Sequence, residues 1–120
     1  GVDCVAVAVG TAHGAYPKGM KPKLDFARLA AIKEKTGHFP LVMHGSSGTD
    51  NETLRKACRM GINKVNIAND LCQAAAKAAK TADLEGNHAY DLSAVIYEAV
   101  KTKMMEMIGV YGSAGKAESK

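Results

Sequence analysis

Twice in this chain an apolar run breaks into a His-Gly pair with glycine around it, and that repeat narrows the available folds more than any other feature. The first run is Val5-Ala6-Val7-Ala8-Val9-Gly10-Thr11-Ala12-His13-Gly14, and the second is Leu41-Val42-Met43-His44-Gly45-Ser46-Ser47-Gly48. A third run, Lys64-Val65-Asn66-Ile67-Ala68-Asn69-Asp70, ends instead in side-chain amides. Short apolar runs that each deliver a polar group at the carboxyl end describe successive strands of a parallel α/β sheet, and ligands gather at that edge. Two imidazoles there point to a metal. The Ser/Gly loop beside one of them points to a phosphate.

Local signals fill in the elements between these runs. Residues Cys4 to Val9 are almost wholly apolar, which predicts a strand buried on both faces. A loop rich in Lys, Gly and Pro follows, and then a helix over Asp25 to Lys35. Asp25 is placed to cap it, Leu24 and Leu29 to form a hydrophobic staple, and Gly37 to stop it. Phe26, Leu29, Ala30 and Ile32 fit its apolar stripe. Pro40 opens a strand over Leu41 to Met43. A helix over Asp50 to Met60 starts with a capping box of Thr49 and Glu52 and stops at Gly61. A third strand is expected over Lys64 to Ala68, and an alanine-rich helix over Asp70 to Lys80. After a polar break at Glu85-Gly86-Asn87-His88, a last helix over Tyr90 to Met107 carries Val95, Ile96, Met104 and Met107 at helical spacing, the methionines as core filler.

Crossovers of this size force the strands parallel. The two histidines are 44 − 13 = 31 residues apart, one βα repeat. Three strands alone leave sheet faces uncovered and at least one apolar edge raw. The chain also opens on Gly1-Val2-Asp3, almost directly in a strand. The expectation is an α/β fold forming part of an eight-stranded barrel whose other strands come from an N-terminal portion; an open sheet is the alternative architecture.

Composition excludes several functions. At 120 residues and 47% hydrophobic content the chain is a globular piece of about one modest domain. It contains no apolar run long enough to cross a bilayer and no signal-peptide pattern, so no membrane partner is expected. A net charge of +4 is mild, aromatic residues are 5% and tryptophan is absent, which argues against nucleic acid. Lysines such as Lys33, Lys35, Lys77, Lys80, Lys101 and Lys103 read as solvated helix faces. Cys4, Cys58 and Cys72 lack metal-type spacing and read as buried or incidental thiols of a cytoplasmic protein.

His13 and His44 are the candidate metal ligands. Two do not complete a site, since catalytic zinc usually takes three protein ligands and keeps one position open. His38 precedes the second strand and His88 lies in a late loop, so the third ligand is expected outside this sequence. Backbone N–H groups of Gly45-Ser46-Ser47-Gly48 could cradle an anion, or the segment could be a plain βα turn. Asn66 and Asn69 flank the third strand's end, where a barrel holds phosphate, or they shape a turn. Thr11 could orient His13 or simply end its strand. Lys18, Lys21 and Lys23 could close over an anion or stay solvated.

Gly10-Thr11-Ala12-His13-Gly14, Pro22-Lys23-Leu24-Asp25-Phe26, Leu41-Val42-Met43-His44-Gly45-Ser46-Ser47 and Lys64-Val65-Asn66-Ile67 together resemble the class II, metal-dependent ketose-bisphosphate aldolases. The resemblance runs nearly end to end, including Gly112-Ser113-Ala114-Gly115-Lys116. It implies the C-terminal part of a (β/α)8 TIM barrel, with strands six to eight here. It also implies reversible cleavage of fructose or tagatose 1,6-bisphosphate to dihydroxyacetone phosphate and glyceraldehyde 3-phosphate. By resemblance His13 and His44 match two of three zinc ligands. Gly14, Gly45, Ser46 and Ser47 match segments that hold the dihydroxyacetone phosphate end, in some members with a monovalent cation. Asn66 matches a contact to the substrate's hydroxyl and carbonyl region, and Asn69 stands in the phosphate cup where the family usually has Thr. The third zinc histidine and the acidic proton donor belong to the family's N-terminal half, so these residues alone are expected to be inactive. A homo-oligomer is expected of the complete enzyme.

Two other readings compete. One is a non-catalytic phosphate-binding α/β module using Ser46, Ser47 and Asn66 with structural histidines. The other is an inactive half-barrel that needs an N-terminal partner chain. Gly10-x-x-x-Gly14 is not a dinucleotide fingerprint and no Walker lysine follows the second strand, so nucleotide binding lacks sequence support.

Overall fold

In the computed structural model of this chain, which describes residues 1–11, 16–17 and 19–117, three short strands pair in parallel in the order β1-β2-β3. β1 is Val5–Ala6, β2 is Leu41–Met43 and β3 is Ile62–Val65. The helices are α1 (Phe26–Thr36), α2 (Asn51–Arg59), α3 (Asn69–Thr81) and α4 (Leu92–Val110), with a 3-10 turn over Gly86–Asp91 leading into α4. The α/β alternation expected from the sequence is present, and α1 and α2 are the crossovers that keep the strands parallel.

The chain divides into two compact units. The first is Gly1–Ile67 with Val110–Gly112, and the second is Ala68–Gly109 with Ser113–Lys120. The first holds the sheet. All of β2 is buried there, with Leu29 of α1 and Leu54 and Ala57 of α2 also out of solvent. These are the apolar faces of two amphipathic helices laid on a sheet.

β1 departs from expectation. It spans two residues and both are exposed, whereas a strand buried on both faces was expected from Cys4 to Val9. Its ladder bonds run somewhat further, from Val5 N–H to the Pro40 carbonyl at 3.1 Å and from Val7 N–H to the Val42 carbonyl at 3.1 Å. The sequence is apolar enough for a central strand, and among the described residues β2 is the one strand that pairs with it. Val9 is the residue that reaches the core.

α1 begins as its sequence predicts. Asp25 accepts the Arg28 N–H at 2.9 Å, and Leu24 and Leu29 are both buried at the entry. Gly37, at φ 58°, returns its N–H to the Lys33 carbonyl. Of the expected stripe, Ala30 faces solvent. Lys33 is not a solvated surface lysine. Its stem lies across Gly61, where a Cβ would sit 2.8 Å from Lys33 Cδ and Cε, and its ammonium donates to the Phe39 carbonyl at 3.1 Å.

α2 is capped by Asp50, not by the Thr49–Glu52 box. Asp50 accepts the Thr53 N–H at 2.9 Å and its hydroxyl at 2.8 Å. The N–H of Thr49 is engaged elsewhere, closing a turn onto the Ser46 carbonyl at 3.1 Å, so the helix starts one residue later. A carboxylate also suits the positive end of the helix better than a hydroxyl does.

β3 lies earlier than expected, over Ile62–Val65 and not Lys64 to Ala68. In the second unit the covered side of α4 runs from half-buried Leu92, Ile96, Ala99 and Val100 to buried Met107. Met104, expected in the core, is exposed along with Val95 and Ile108. That helix is apolar around much of its circumference, and burial on one side leaves the rest uncovered. Among the described residues no helix is long and apolar enough to cross a membrane.

Candidate functional site at the strand ends

The register between β2 and β3 decides which side chains meet. Leu41 pairs with Ile62, but Val42 pairs with Lys64, so Asn63 is an extra residue in β3. Such a bulge would orphan a ladder donor. Here the Asn63 carboxamide oxygen accepts the Leu41 N–H at 3.1 Å, in place of a backbone partner. One inserted residue reverses the face of every side chain after it. Continued two places, the shifted register sets His44 beside Asn66, and the Asn66 N–H bonds the Met43 carbonyl at 3.1 Å. Without the bulge Asn66 would point to the opposite face.

His44 and Asn66 are in contact. The Asn66 amide nitrogen lies 3.1 Å from both His44 Nδ1 and His44 Nε2. A point that close to both nitrogens cannot lie in the ring plane without striking the carbon between them, so the amide sits over the ring face. Asn66 therefore does not occupy the in-plane lone pair through which imidazole binds a metal. Lys64 donates to Asn66 Oδ1 from the other side.

Ser46 is buried, and its hydroxyl donates to the Asn66 backbone carbonyl at 3.0 Å. That proton is committed to joining the two strand ends. The segment from Ser46 to Thr49 is a turn with Gly48 at its third position and φ 80°, the geometry that favours glycine there. Gly45, between His44 and the turn, is also left-handed at φ 72°. A βα turn is thus present, and such a turn still carries the backbone N–H groups of the expected anion cradle. Among the described residues Thr49 Oγ1 is buried without a hydrogen-bond partner.

The expected role of Thr11 toward His13 falls outside the described residues, but Thr11 does more than end its strand. Its hydroxyl donates to the His44 carbonyl at 2.7 Å, tying the end of the first segment to the second. Gly10 allows the returning loop to pass. A Cβ there would stand 2.2 Å from the Lys23 carbonyl oxygen, and Gly10 sits at φ 97°. Asp25 N–H then bonds the Val9 carbonyl at 2.8 Å, so α1 starts against the end of β1.

His13 and Gly14 lie outside the described residues, as does Lys18. Asn69 is the first residue of α3, in the second unit, where no side chain caps the helix. His38 is in the α1–β2 loop at the opposite end of the strands, and His88 lies beside Asp83 at 4.0 Å in the second unit. Among the described residues no three His, Cys, Asp or Glu side chains cluster as a metal site. The three cysteines are unpaired; Cys4 and Cys72 are exposed and not buried, while Cys58 is half-buried and burial pushes its thiol pKa up.

Sequence reasoning missed Asn63, Lys64 and the bond of Thr11 to the His44 carbonyl. Only the adjacent polar letters Asn63, Lys64 and Asn66 in an otherwise apolar strand hinted at the first two.

Residues 1–116 match the family described as fructose-bisphosphate aldolase class-II, and the chain belongs to that family. Among solved structures it is similar to the YdjI aldolase of Escherichia coli K12, with 34% identity and a TM-score of 0.81 over 97% of this chain. It is also similar to a protein of Coccidioides immitis assigned as a fructose-1,6-bisphosphate aldolase, with 27% identity and a TM-score of 0.84 over 99% of this chain. In each case the chain spans 41% of the other protein's length. The three-stranded parallel unit is thus part of a (β/α)8 aldolase barrel.

Proposed function

We propose that this chain is the C-terminal portion of one aldolase barrel, strands six to eight, and supplies part of a metal-dependent aldolase site. The reaction is reversible cleavage of a fructose or tagatose 1,6-bisphosphate into dihydroxyacetone phosphate and glyceraldehyde 3-phosphate. The observation that carries this reading is the junction of His44, the Gly45–Ser47 turn and Asn66 at the carboxyl ends of two adjacent parallel strands.

Each residue has a task its chemistry suits. His44, with His13, would hold a divalent cation, zinc by family resemblance. Asn66 lies over the His44 ring face, outside the plane in which imidazole binds a metal, and imidazole is a donor that suits a divalent cation. When bound, the metal supplies Lewis-acid stabilisation of the negative charge that develops as the carbon–carbon bond breaks. The backbone N–H groups of Gly45, Ser46 and Ser47, with Gly14, would bind the dihydroxyacetone phosphate end, and the same backbone could seat a monovalent cation; Asn69 keeps its phosphate role by family resemblance alone. Asn66 would donate from its amide to the substrate's oxygen atoms, held ready by bonds at its carbonyl and side chain. The proton donor and the third metal ligand would come from the N-terminal half of the barrel. The complete enzyme is expected to be a homo-oligomer, and unpaired thiols support a cytoplasmic setting.

Metal analysis and an aldol-cleavage assay on the protein with its complete barrel test this. The expected result is about one divalent cation per barrel and triose phosphate release, with both lost in His44→Ala. Wild-type metal content and rate in His44→Ala would refute the ligand assignment. A protein that binds inorganic phosphate yet holds no divalent cation and cleaves no ketose bisphosphate would be a binding module.

A further inference from the structure

We infer that Lys64 is a positioning residue, fixing which end of the Asn66 carboxamide faces His44; this rests on the site reading given above. Lys64 in β3 and Asn66 just past its end are two apart and, with the ladder continued by the Asn66 N–H bond to the Met43 carbonyl, share one face beyond the bulge. The Lys64 ammonium donates to Asn66 Oδ1, while Asn66 Nδ2 sits over the His44 ring. A carboxamide is nearly symmetric in shape, and half a turn exchanges its donor end for its acceptor end. An ammonium group offers donors only, so beside it the carboxamide oxygen accepts and the NH2 group is turned away. That NH2 then faces the imidazole and the ligand space before it.

The direction matters for the chemistry. A donor at that place stabilises a carbonyl or developing oxyanion, whereas an acceptor repels it. The Asn66 backbone is held independently by the Ser46 hydroxyl at its carbonyl and by the Met43 carbonyl at its N–H. What the backbone bonds leave open is rotation of the amide, and Lys64 contacts the atom that sets it. A lysine on an outer strand ordinarily serves to discourage edge pairing. Its bond to Asn66 distinguishes this one.

The test compares wild type, Lys64→Met and Lys64→Arg in the protein with its complete barrel. Two readouts are used: steady-state cleavage of fructose bisphosphate, and the NMR cross-peak between the Asn66 side-chain NH2 and the His44 ring. Hydrogen bonds to charged groups imply a fall in kcat of about 10- to 100-fold in Lys64→Met, with KM little changed. The cross-peak should weaken in Lys64→Met, and Lys64→Arg should restore both. A missing cross-peak in the wild type overturns the inference, whatever the variants do. So does a Lys64→Met protein that keeps the cross-peak, even if its rate falls. If the wild type cleaves no ketose bisphosphate, the aldolase reading fails, and the cross-peak alone then decides the role of Lys64.

Discussion

Replacing Asn63 with alanine removes the acceptor for the Leu41 N–H, and the consequences reach from stability to the site. Leu41 is fully buried and its N–H bonds the Asn63 carboxamide at 3.1 Å. A buried donor left without a partner costs about 1–3 kcal/mol. The bulge itself loses its reason at the same time. If β3 slips back by one residue to recover a backbone acceptor, Asn66 turns to the opposite face and away from His44. Asn63→Ala should therefore destabilise by about 1–3 kcal/mol in urea unfolding and also weaken divalent-cation or substrate binding. Asn63→Asp keeps an acceptor at the same reach and should retain most of the stability at neutral pH. An Asn63→Ala protein within about 0.5 kcal/mol of wild type would show that the side chain does not hold the bulge.

Gly10→Ala should cost at least about 2 kcal/mol in the same unfolding assay, because its Cβ meets the Lys23 carbonyl oxygen at 2.2 Å in a left-handed conformation. Gly112→Ala, left-handed at φ 71° but with open space around it, should cost only about 1 kcal/mol; equal losses would remove the close-approach argument. Asn69→Thr should leave the affinity for inorganic phosphate similar or improved, and a large loss by titration calorimetry would give Asn69 a different role. The Thr53 backbone N–H, then its hydroxyl, holds the Asp50 carboxyl below its usual 3.8. A lowered folded value means the cap stabilises fully above the ordinary carboxylate range and is lost as pH falls through the folded pKa. Asp50→Asn should flatten that part of the acid-unfolding curve, and an unchanged acid limb would contradict the capping role.

Much of the fold could be read from local chemistry. Asp25, Leu24 and Gly37 mark the ends of α1 because a cap, a staple and a left-handed stop act within a few residues of one another. The βα order was equally legible, since apolar runs separated by helical stripes leave parallel pairing as the available connection. The Thr49 box failed because one N–H cannot serve both the Ser46 turn and a helix start, and the competition involves the turn's three-dimensional closure. Met104 failed because helical spacing marks an apolar face without saying what covers it.

The chain's own letters determined that a histidine and a Ser/Gly turn would sit at a strand's carboxyl end, since alternation and turn chemistry operate along the backbone. The tertiary structure decided which neighbour that histidine meets. A side chain from twenty-two residues away reaches it only because Asn63 inserts one extra residue and satisfies the donor this exposes. Register between strands is a property of the pair, so no inspection of either strand alone could assign Asn66 to the face of His44.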